Sequence, residues 1–417
     1  MALSAKALTV GTTTGTTDVV SASLGFTPKV VLMFGIRTSD NTDITGSIGA
    51  FSAALERACV FILGSDAAAT TDENCIIRDD AVYGTLTNAT TIAGLLDAVS
   101  LDADTFTVIP DDAFGTSQTV ICLALGGADL TNAYVGTFTL NAATGTQDIT
   151  TPGFQADCVI FFWALAGTVN TIITGGAGLG IGVGVSSSER WAVGAASDDN
   201  VAAVANRSIV TTDLCIAAVD NNSDALVNAA DYVGGIANGF RINKTAGTTQ
   251  PVIGYIALKG GQYKAGTTAM RTDTNNQAVT GVGFTPSALL LAGRPEATAS
   301  EGTTPSVNVE IMVGVATGTA NRGAMWIGEV DASDPSESNV RQSTARCAMN
   351  QAVGTPATDE GDMDFVSFDA DGFTLDQDTA AGVAVLLPYL AIGDAAAAAA
   401  GVAGTSTSNR TTRRRRR

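Results

Sequence analysis

The sequence predicts an all-β protein: three tandem, homologous β-sandwich domains of jelly-roll-like type, followed by a short basic C-terminal tail. Three observations lead to this prediction. The apolar runs are short and rich in Val, Ile, Phe and Thr. They are bounded by Gly, Asn, Asp and Pro, and the same blocks recur three times in one order. No longer window shows a helical period with caps, and 417 residues suffice for several cores.

Four blocks define each copy of the repeat. A Gly-Phe turn with an apolar run opens it, at Phe26, Phe154 and Phe284. A strand that begins with an arginine follows, at Arg57, Arg190 and Arg322. A turn and strand around a second phenylalanine come next, at Phe106, Phe240 and Phe373, before a closing apolar strand and glycine. We therefore predict domains at residues 1–128, 129–261 and 262–393, with a linker and tail at 394–417.

Within a copy, alternation of apolar and polar residues predicts strands with one face in a core. Thr105–Ile109 and Gly372–Asp376 show it most clearly. Residues 137–149 predict a hairpin that turns at Ala143–Gly145. Each copy should be a two-sheet sandwich of about eight strands.

Composition and charge exclude several classes of function. The chain has 22 basic and 41 acidic residues, a net charge of −19, and no histidine. Without histidine there is no Ser-His-Asp triad, no Cys-His pair and no imidazole metal ligand. An acidic body argues against nucleic-acid binding over the whole surface. The first residues show no secretory signal, and the longest dense apolar run, Val159–Ala166, is too short to span a membrane. A soluble, non-enzymatic protein is expected.

The C-terminal tail is the candidate partner-binding site. In residues 394–417, six arginines against one aspartate give +5, which leaves −24 for residues 1–393. Guanidinium groups bind carboxylates and phosphates. The expected partner is an acidic surface of a neighbouring subunit, and nucleic acid is expected only through this tail. A solvated tail without a partner is the alternative. The partner-binding residues are Arg410, Arg413, Arg414, Arg415, Arg416 and Arg417.

Other motifs have structural interpretations. The alternating aspartates Asp102/Asp104 and Asp369/Asp371 suggest calcium, but turn chemistry is favoured because the middle copy lacks them. The repeated arginines should pair with loop carboxylates or carbonyls rather than bind a ligand. The glycine run 175–185 should be a strand rather than a phosphate loop. The tryptophans should lie in the core, and buried free thiols are the default for the cysteines. These are Trp163, Trp191, Trp326, Cys59, Cys75, Cys122, Cys158, Cys215 and Cys347.

The repeat resembles one found in virion proteins of tailed bacteriophages. The resemblance rests on Gly-Thr-Phe-Thr, Thr-Gly-x-Gln-x-Ile, Gly-Phe and Val-Ile-Phe-Phe in the second copy, with Phe-Asp-Ala-Asp-Gly-Phe-Thr-Leu and a closing Tyr-x-Ala-Leu/Ile-Gly elsewhere. It covers residues 9 to 393, once per copy. It implies a structural, β-sandwich protein with no catalytic, cofactor or metal residue. The departures are a long acidic insert, Glu329–Asn339, and the arginine tail.

These features predict a non-enzymatic structural protein of the virion, made in the host cytoplasm. It would decorate the capsid or belong to the tail or fibre, with stacked sandwiches as rigid spacers. Its expected partners are other virion proteins and further copies of itself. The alternative is an adhesin that binds receptors or glycans through an exposed aromatic platform. An enzyme would need a pair of carboxylates in a cleft, and no equivalent positions supply one in all three copies.

Overall fold

All regular structure in the computed structural model is β-strand. The structure describes residues 2–10, 23–37, 43–53, 56–87, 91–202, 205–220, 223–294, 302, 304–353 and 358–395. The prediction of an all-β fold is confirmed. Within these ranges no helix exists that would be long and apolar enough to cross a bilayer.

The first copy forms a six-stranded sheet, in the order β1-β9-β2-β3-β4-β5, and a three-stranded sheet, β6-β7-β8. The strands are β1 (Ala2–Val10), β2 (Pro28–Ile36), β3 (Ile44–Ala53), β4 (Glu56–Gly64), β5 (Asn74–Arg78), β6 (Tyr83–Thr87), β7 (Thr91–Leu101), β8 (Phe106–Asp112) and β9 (Gln118–Gly126).

The second copy repeats the large-sheet order as β10-β19-β12-β13-β14-β15, and its second sheet is β11-β18-β17-β16. The strands are β10 (Asn132–Thr139), β11 (Gly145–Ile149), β12 (Cys158–Trp163), β13 (Ala177–Ser186), β14 (Glu189–Ser197), β15 (Asn206–Thr211), β16 (Ile216–Val219), β17 (Leu226–Ile236), β18 (Gly239–Ala246) and β19 (Val252–Lys259).

The third copy follows the same plan, with sheets β20-β30-β22-β24-β25-β26 and β21-β29-β28-β27. The strands are β20 (Gln262–Met270), β21 (Asn276–Thr280), β22 (Pro286–Gly293), β23 (Ser306–Val307), β24 (Val309–Gly318), β25 (Asn321–Glu329), β26 (Ser338–Ser343), β27 (Ala348–Gln351), β28 (Asp359–Asp369), β29 (Gly372–Thr379) and β30 (Val385–Gly393).

One antiparallel topology thus recurs three times. In each copy the first strand pairs with the last, and in the second and third copies the second strand pairs with the next to last. The corresponding segment of the first copy lies outside the described residues. The second copy has ten strands rather than the expected eight or so, because the short β15 and β16 carry no alternation long enough to recognise in the sequence.

The smaller sheet of each copy packs on the outer face of its larger sheet. In the second copy β16 and β17 contact β13 and β14, and an aromatic cluster fills the space between the sheets. The ring of Phe240 meets those of Tyr255 and Phe161, with centroids 5.1 and 5.6 Å apart. The equivalent Phe106 and Phe373 are fully buried in their own copies. The repeated phenylalanine is therefore the centre of each sandwich.

The prediction of a hairpin at residues 137–149 is wrong. β10 pairs with β19 in the large sheet, and β11 pairs with β18 in the small sheet. The connection between them crosses from one sheet to the other because Leu140 is buried in the sandwich core, where its backbone amide donates to the Pro251 carbonyl oxygen at 2.9 Å. A hairpin and a crossing between sheets both join alternating strands through the same turn residues. The sequence pattern therefore does not distinguish a hairpin from a crossing.

The inner faces of the three large sheets share a single hydrophobic core. Ile48, Ile181 and Val313 occupy equivalent positions on β3, β13 and β24, and all three are fully buried in this common core. A methyl group placed on Gly46 would lie 3.2 Å from both Leu179 of the second copy and Ile327 of the third. The sheets therefore meet around one central axis.

The copies are joined head to tail into a closed ring. β10, the first strand of the second copy, packs on β3 and β4 of the first copy. β20 packs in the same way on β13 and β14, and β1 packs on β24 and β25. Because the third contact returns to the first copy, the chain has pseudo-threefold symmetry, with heterologous contacts that close.

This ring differs from the expected stack of separate spacers. The apolar inner face of each large sheet has to be covered, and the two other copies cover it. The domain bounds at residues 128, 261 and 393 stay a prediction.

The second and third copies each cover an edge strand of the preceding copy, and side-chain hydrogen bonds link the third copy to the first. β23 pairs with β15 of the second copy, and Ile173 forms a bridge with Cys75 on β5 of the first copy. At the third junction the side chain of Gln342 on β26 accepts from the Ile36 amide at 3.0 Å and donates to the Thr119 carbonyl oxygen at 2.8 Å. Covering these edges blocks the pairing with other chains that exposed edge strands invite.

Candidate functional site

The predicted partner-binding residues of the tail lie outside the described residues. They are Arg410, Arg413, Arg414, Arg415, Arg416 and Arg417. The chain reaches them from β30, whose last residue, Gly393, pairs with Gln262 and Pro286. This is the end of the ring at which β1 also begins, since Ala2 and Pro28 both pair with Gly126.

The repeated aspartates hold a turn, as the turn interpretation predicts. Asp371 accepts hydrogen bonds from the backbone amides of Gly281 and Gly283, at 3.1 and 2.6 Å. In the first copy the Asp104 carboxylate accepts from the Gly25 amide, and its carbonyl oxygen accepts from the Leu24 amide at 2.9 Å. These carboxylates therefore join the β7–β8 and β28–β29 hairpins to the Gly-Phe turns.

The repeated arginines pair with carboxylates at equivalent positions. Arg57 lies 3.2 Å from Asp97. Arg322 donates to Asp364 at 2.8 Å and to a backbone carbonyl oxygen at 2.9 Å. Arg190 donates to the Asp213 carbonyl oxygen at 2.6 Å. The structural interpretation of all three is confirmed, because the charged heads bind groups of their own copy.

The cysteines and tryptophans belong to the cores. All six thiols are free and buried, and burial raises the pKa of each one. Trp163, Trp191 and Trp326 are buried as well. The indole Nε1 of Trp191 donates to the Tyr389 carbonyl oxygen at 2.9 Å, so this side chain links the second copy to the third.

The glycine run at residues 175–185 is a strand, as predicted. It forms most of β13, and its alternate glycines let other groups approach closely. A Cβ on Gly182 would lie 2.1 Å from the Cys215 carbonyl oxygen, and a Cβ on Gly180 would lie 2.2 Å from the Trp163 ring. The glycines therefore serve packing between the two sheets of the sandwich.

A ring of three equivalent loops closes one end of the body; we call it the axial cap. It consists of the described residues of the β4–β5, β14–β15 and β25–β26 loops, and adjacent copies are hydrogen-bonded throughout. The Thr71 amide donates to the Val201 carbonyl oxygen at 3.0 Å, and the Ala67 amide donates to the Ser336 carbonyl oxygen at 2.8 Å. Asn206 Nδ2 completes the ring by donating to the Val330 carbonyl oxygen at 2.8 Å.

The interpretation of Glu329–Asn339 as a long insert in the third copy is wrong. Residues 330–337 correspond to 65–73 and 198–205 in the other copies, and the three connections have nearly the same length. The segment Glu329–Asn339 is therefore the third cap loop rather than an insertion. Its acidic sequence differs from that of its counterparts, and this difference hid the correspondence.

Two glutamates, one from the first copy and one from the third, are buried under the axial cap. Glu73 and Glu329 are fully inaccessible to solvent. Glu73 Oε2 and both carboxylate oxygens of Glu329 have no hydrogen-bond partner. Ser197 Oγ and Asn206 Oδ1, from the second copy, are also buried without a partner. As carboxylates, both glutamates only accept hydrogen bonds, so the Ser197 hydroxyl would be the one donor among these atoms unless a carboxyl is protonated.

The two carboxyls destabilise each other's charged form. Burial raises the pKa of Glu73 well above its usual range, and the neighbouring Glu329 carboxylate raises it further, against an opposing bond from the Ser65 amide. Burial also raises the pKa of Glu329 to about 8. Ser197 and Asn206 oppose the effect of burial and lower the pKa of Glu329. Neither carboxylate oxygen of Glu329 has a partner in hydrogen-bond geometry.

Packing at the axis makes room for this pair of carboxyls. Position 64 in the first copy is equivalent to Ser197 and Glu329, and it is a glycine. A Cβ on Gly64 would lie 2.4 Å from Glu73 Oε2. Only a residue without a side chain at position 64 leaves the space that the Glu73 carboxyl fills.

A cavity of about 10 Å³ lies on the axis beside Glu73, with room for one water molecule. Three equivalent apolar residues, Ile44, Ala177 and Val309, surround it, and Glu73 and Ser197 form its polar end. Among the described residues no three acidic, sulfur or imidazole side chains converge on one point. Of the two buried carboxyls, that of Glu73 is the one that lines the cavity.

Sequence reasoning missed this site. Glu329 appeared only as the start of an insert, and Glu73, Ser197 and Asn206 carried no motif. The available signal was positional: Glu329 ends an apolar strand where the aligned copies have Gly64 and Ser197. Comparison with known proteins adds no further constraint, because no family model and no curated protein matches the chain.

Proposed function

We propose that the chain is a non-enzymatic structural protein of a tailed-bacteriophage virion, which decorates the capsid or belongs to the tail or fibre. The observation that carries the proposal is the closed ring of three copies around a common core. The ring presents three pseudo-equivalent outer faces. A body of this kind fits a neighbour that offers three equivalent contacts, as symmetric protein shells do. The resemblance of the repeat to virion proteins supports the same function.

The ends of the body support an anchoring role for the tail. The register places Gly393 at one end of the large sheets and the axial cap at the other. The segment that leads to the arginines therefore leaves β30 at the end of the body opposite the axial cap, beside the start of β1. Residues 1–393 carry −24, which keeps a densely packed surface soluble. Many such tails bound at once give avidity without a tight single contact.

The alternative of a glycan-binding adhesin gains no support from the described residues. It requires exposed aromatic side chains, whereas the large hydrophobic residues exposed in this part of the chain are all valines. They are Val99, Val233, Val307, Val366 and Val383. Three of them, Val99, Val233 and Val366, lie at the same bulge of β7, β17 and β28. They mark equivalent points on the three outer faces.

Quantitative mass spectrometry of purified particles tests the proposal. For a decoration protein seated where three capsid subunits meet, we expect about one chain for every three major capsid subunits. A few chains per particle would place it in the tail or fibre. Absence from particles would overturn the proposal.

The anchoring role needs a second experiment. Serine at Arg410 and Arg413–Arg417 should leave the body folded and remove it from particles, whereas lysine at the same positions should retain most binding at low salt. If the serine variant assembles like the wild type, the tail is not an anchor.

A further inference from the structure

The buried oxygens under the axial cap have no counter-charge in the described part of the chain. Glu73 and Glu329 lie next to each other, and neither forms an ion pair with a described residue. The additional charges that raise the pKa values of the two glutamates are also acidic: Asp66 acts on Glu329, and Asp199 and Asp72 act on Glu73. Two unpaired carboxylates in a site closed to water require a proton or a cation.

Several of the nearby acidic groups are already engaged in closing the cap. Asp199 accepts from the Glu73 amide at 2.8 Å, and Asp66 accepts from the Ser338 amide at 2.9 Å. Asp331 binds Arg207 at 2.7 Å. These bonds fix the loops around the site. The oxygens left without a hydrogen-bond partner at the site are Glu73 Oε2, both carboxylate oxygens of Glu329, Ser197 Oγ and Asn206 Oδ1.

We propose that this axial site binds one calcium ion between the three copies of the repeat. Its ligands would be carboxylate oxygens of Glu73 and Glu329, the amide oxygen of Asn206 and the hydroxyl oxygen of Ser197. Calcium takes six to eight oxygen ligands, including carboxylates and amide carbonyls, in irregular geometry. Magnesium demands a near-ideal octahedron and keeps several waters, for which a cavity of about 10 Å³ has no room.

The site differs from a patch of surface acids in three respects. Its unpartnered oxygens are buried, with Glu73, Glu329 and Asn206 fully inaccessible. Its ligands come from all three copies, so an ion there would hold the ring closed. Gly64 provides the space for one ligand and adds none of its own. Two carboxylates also neutralise the charge of one divalent ion. This inference is independent of any role in a virion.

Calcium binding to the full-length chain tests the proposal. The protein is treated with EDTA, dialysed into 150 mM NaCl at pH 8 and titrated with CaCl2 by calorimetry, with native mass spectrometry to count bound ions. We expect one saturable site and a rise in Tm of several degrees. E329Q and E73Q should lose both. E189Q, which changes a half-exposed carboxylate bound to Lys264, should retain both.

Two results would overturn the proposal. If the wild type shows no saturable site, or if E329Q and E73Q bind calcium as it does, the ions bind surface acids only. If both variants are more stable than the wild type at pH 8 and calcium changes the Tm of none of the three proteins, the carboxyls share a proton instead. Should one of these variants fail to fold, the other decides; should both fail, S197A, which removes a neutral ligand and keeps both carboxylates, replaces them, and calcium binding by S197A as tight as that of the wild type would overturn the proposal.

Discussion

Replacing Glu329 with glutamine should stabilise the protein at alkaline pH and leave it nearly unchanged at acidic pH. Glutamine keeps the size of the side chain, removes the buried charge and supplies an amide donor for Asn206 Oδ1 or Glu73. The pKa of Glu329 rises on folding from 4.5 to about 8. The folded chain therefore holds a proton that the unfolded chain releases across this window. Stability falls as the pH rises through the window, and the loss is complete above about pH 8.

The size of the effect follows from the pKa. A rise from 4.5 to about 8 corresponds to about 5 kcal/mol, at about 1.4 kcal/mol per pKa unit. If all 417 residues unfold together, the entropy of unfolding is about 0.9 kcal/mol per degree. The Tm of E329Q should then exceed that of the wild type by about 5 °C at pH 9. If one copy of about 130 residues unfolded alone, the same free energy would change its Tm by about 18 °C.

Scanning calorimetry in EDTA from pH 5 to pH 9 measures the Tm difference between E329Q and the wild type. Glu310 is also buried, and burial raises its pKa to about 8, so it makes the Tm of both proteins depend on pH. Subtracting the two Tm values removes this shared contribution. E189Q is the control, since the half-exposed ion pair of Glu189 with Lys264 contributes at most about 1 kcal/mol. A difference that does not change with pH, or a variant that is less stable at pH 9, would refute the account of the axial site.

Two further predictions concern the cores. The six buried thiols should not react with a thiol reagent in the native state and should all react in denaturant; fast labelling of any one in the native protein would contradict its burial. Gly182→Ala should destabilise the protein by at least about 1–3 kcal/mol, because its Cβ would meet the Cys215 carbonyl oxygen. Urea unfolding measures this cost, with Gly115→Ala, where nothing lies near the new Cβ, as the control.

The sequence was sufficient to predict several features that each copy repeats. Strand content, the repeated blocks, the buried phenylalanines and the paired arginines all follow from short-range patterns that each copy shows separately. Three agreeing copies make such patterns hard to mistake. Phe106, Phe240 and Phe373, for instance, are each the centre of a sandwich.

The sequence could not predict how the copies meet. An apolar run such as β13 looks the same whether both its faces are covered within one sandwich or one face lies against two other copies. For the same reason a buried Glu329 resembles an ordinary acidic loop residue. Its meaning depends on Glu73, Ser197 and Asn206, which are distant in sequence and share no motif. The crossing at Leu140 was missed because hairpins and crossovers use the same turn residues.

Closure of the three copies into one body is most directly tested by the calorimetric unfolding of the wild-type chain. A common core predicts a single transition in which the van't Hoff and calorimetric enthalpies agree. For 417 residues the calorimetric enthalpy should be about 290 kcal/mol near 60 °C. Two or three separable transitions, each with the enthalpy of about one third of the chain, would show that the copies fold as independent units and would contradict the ring.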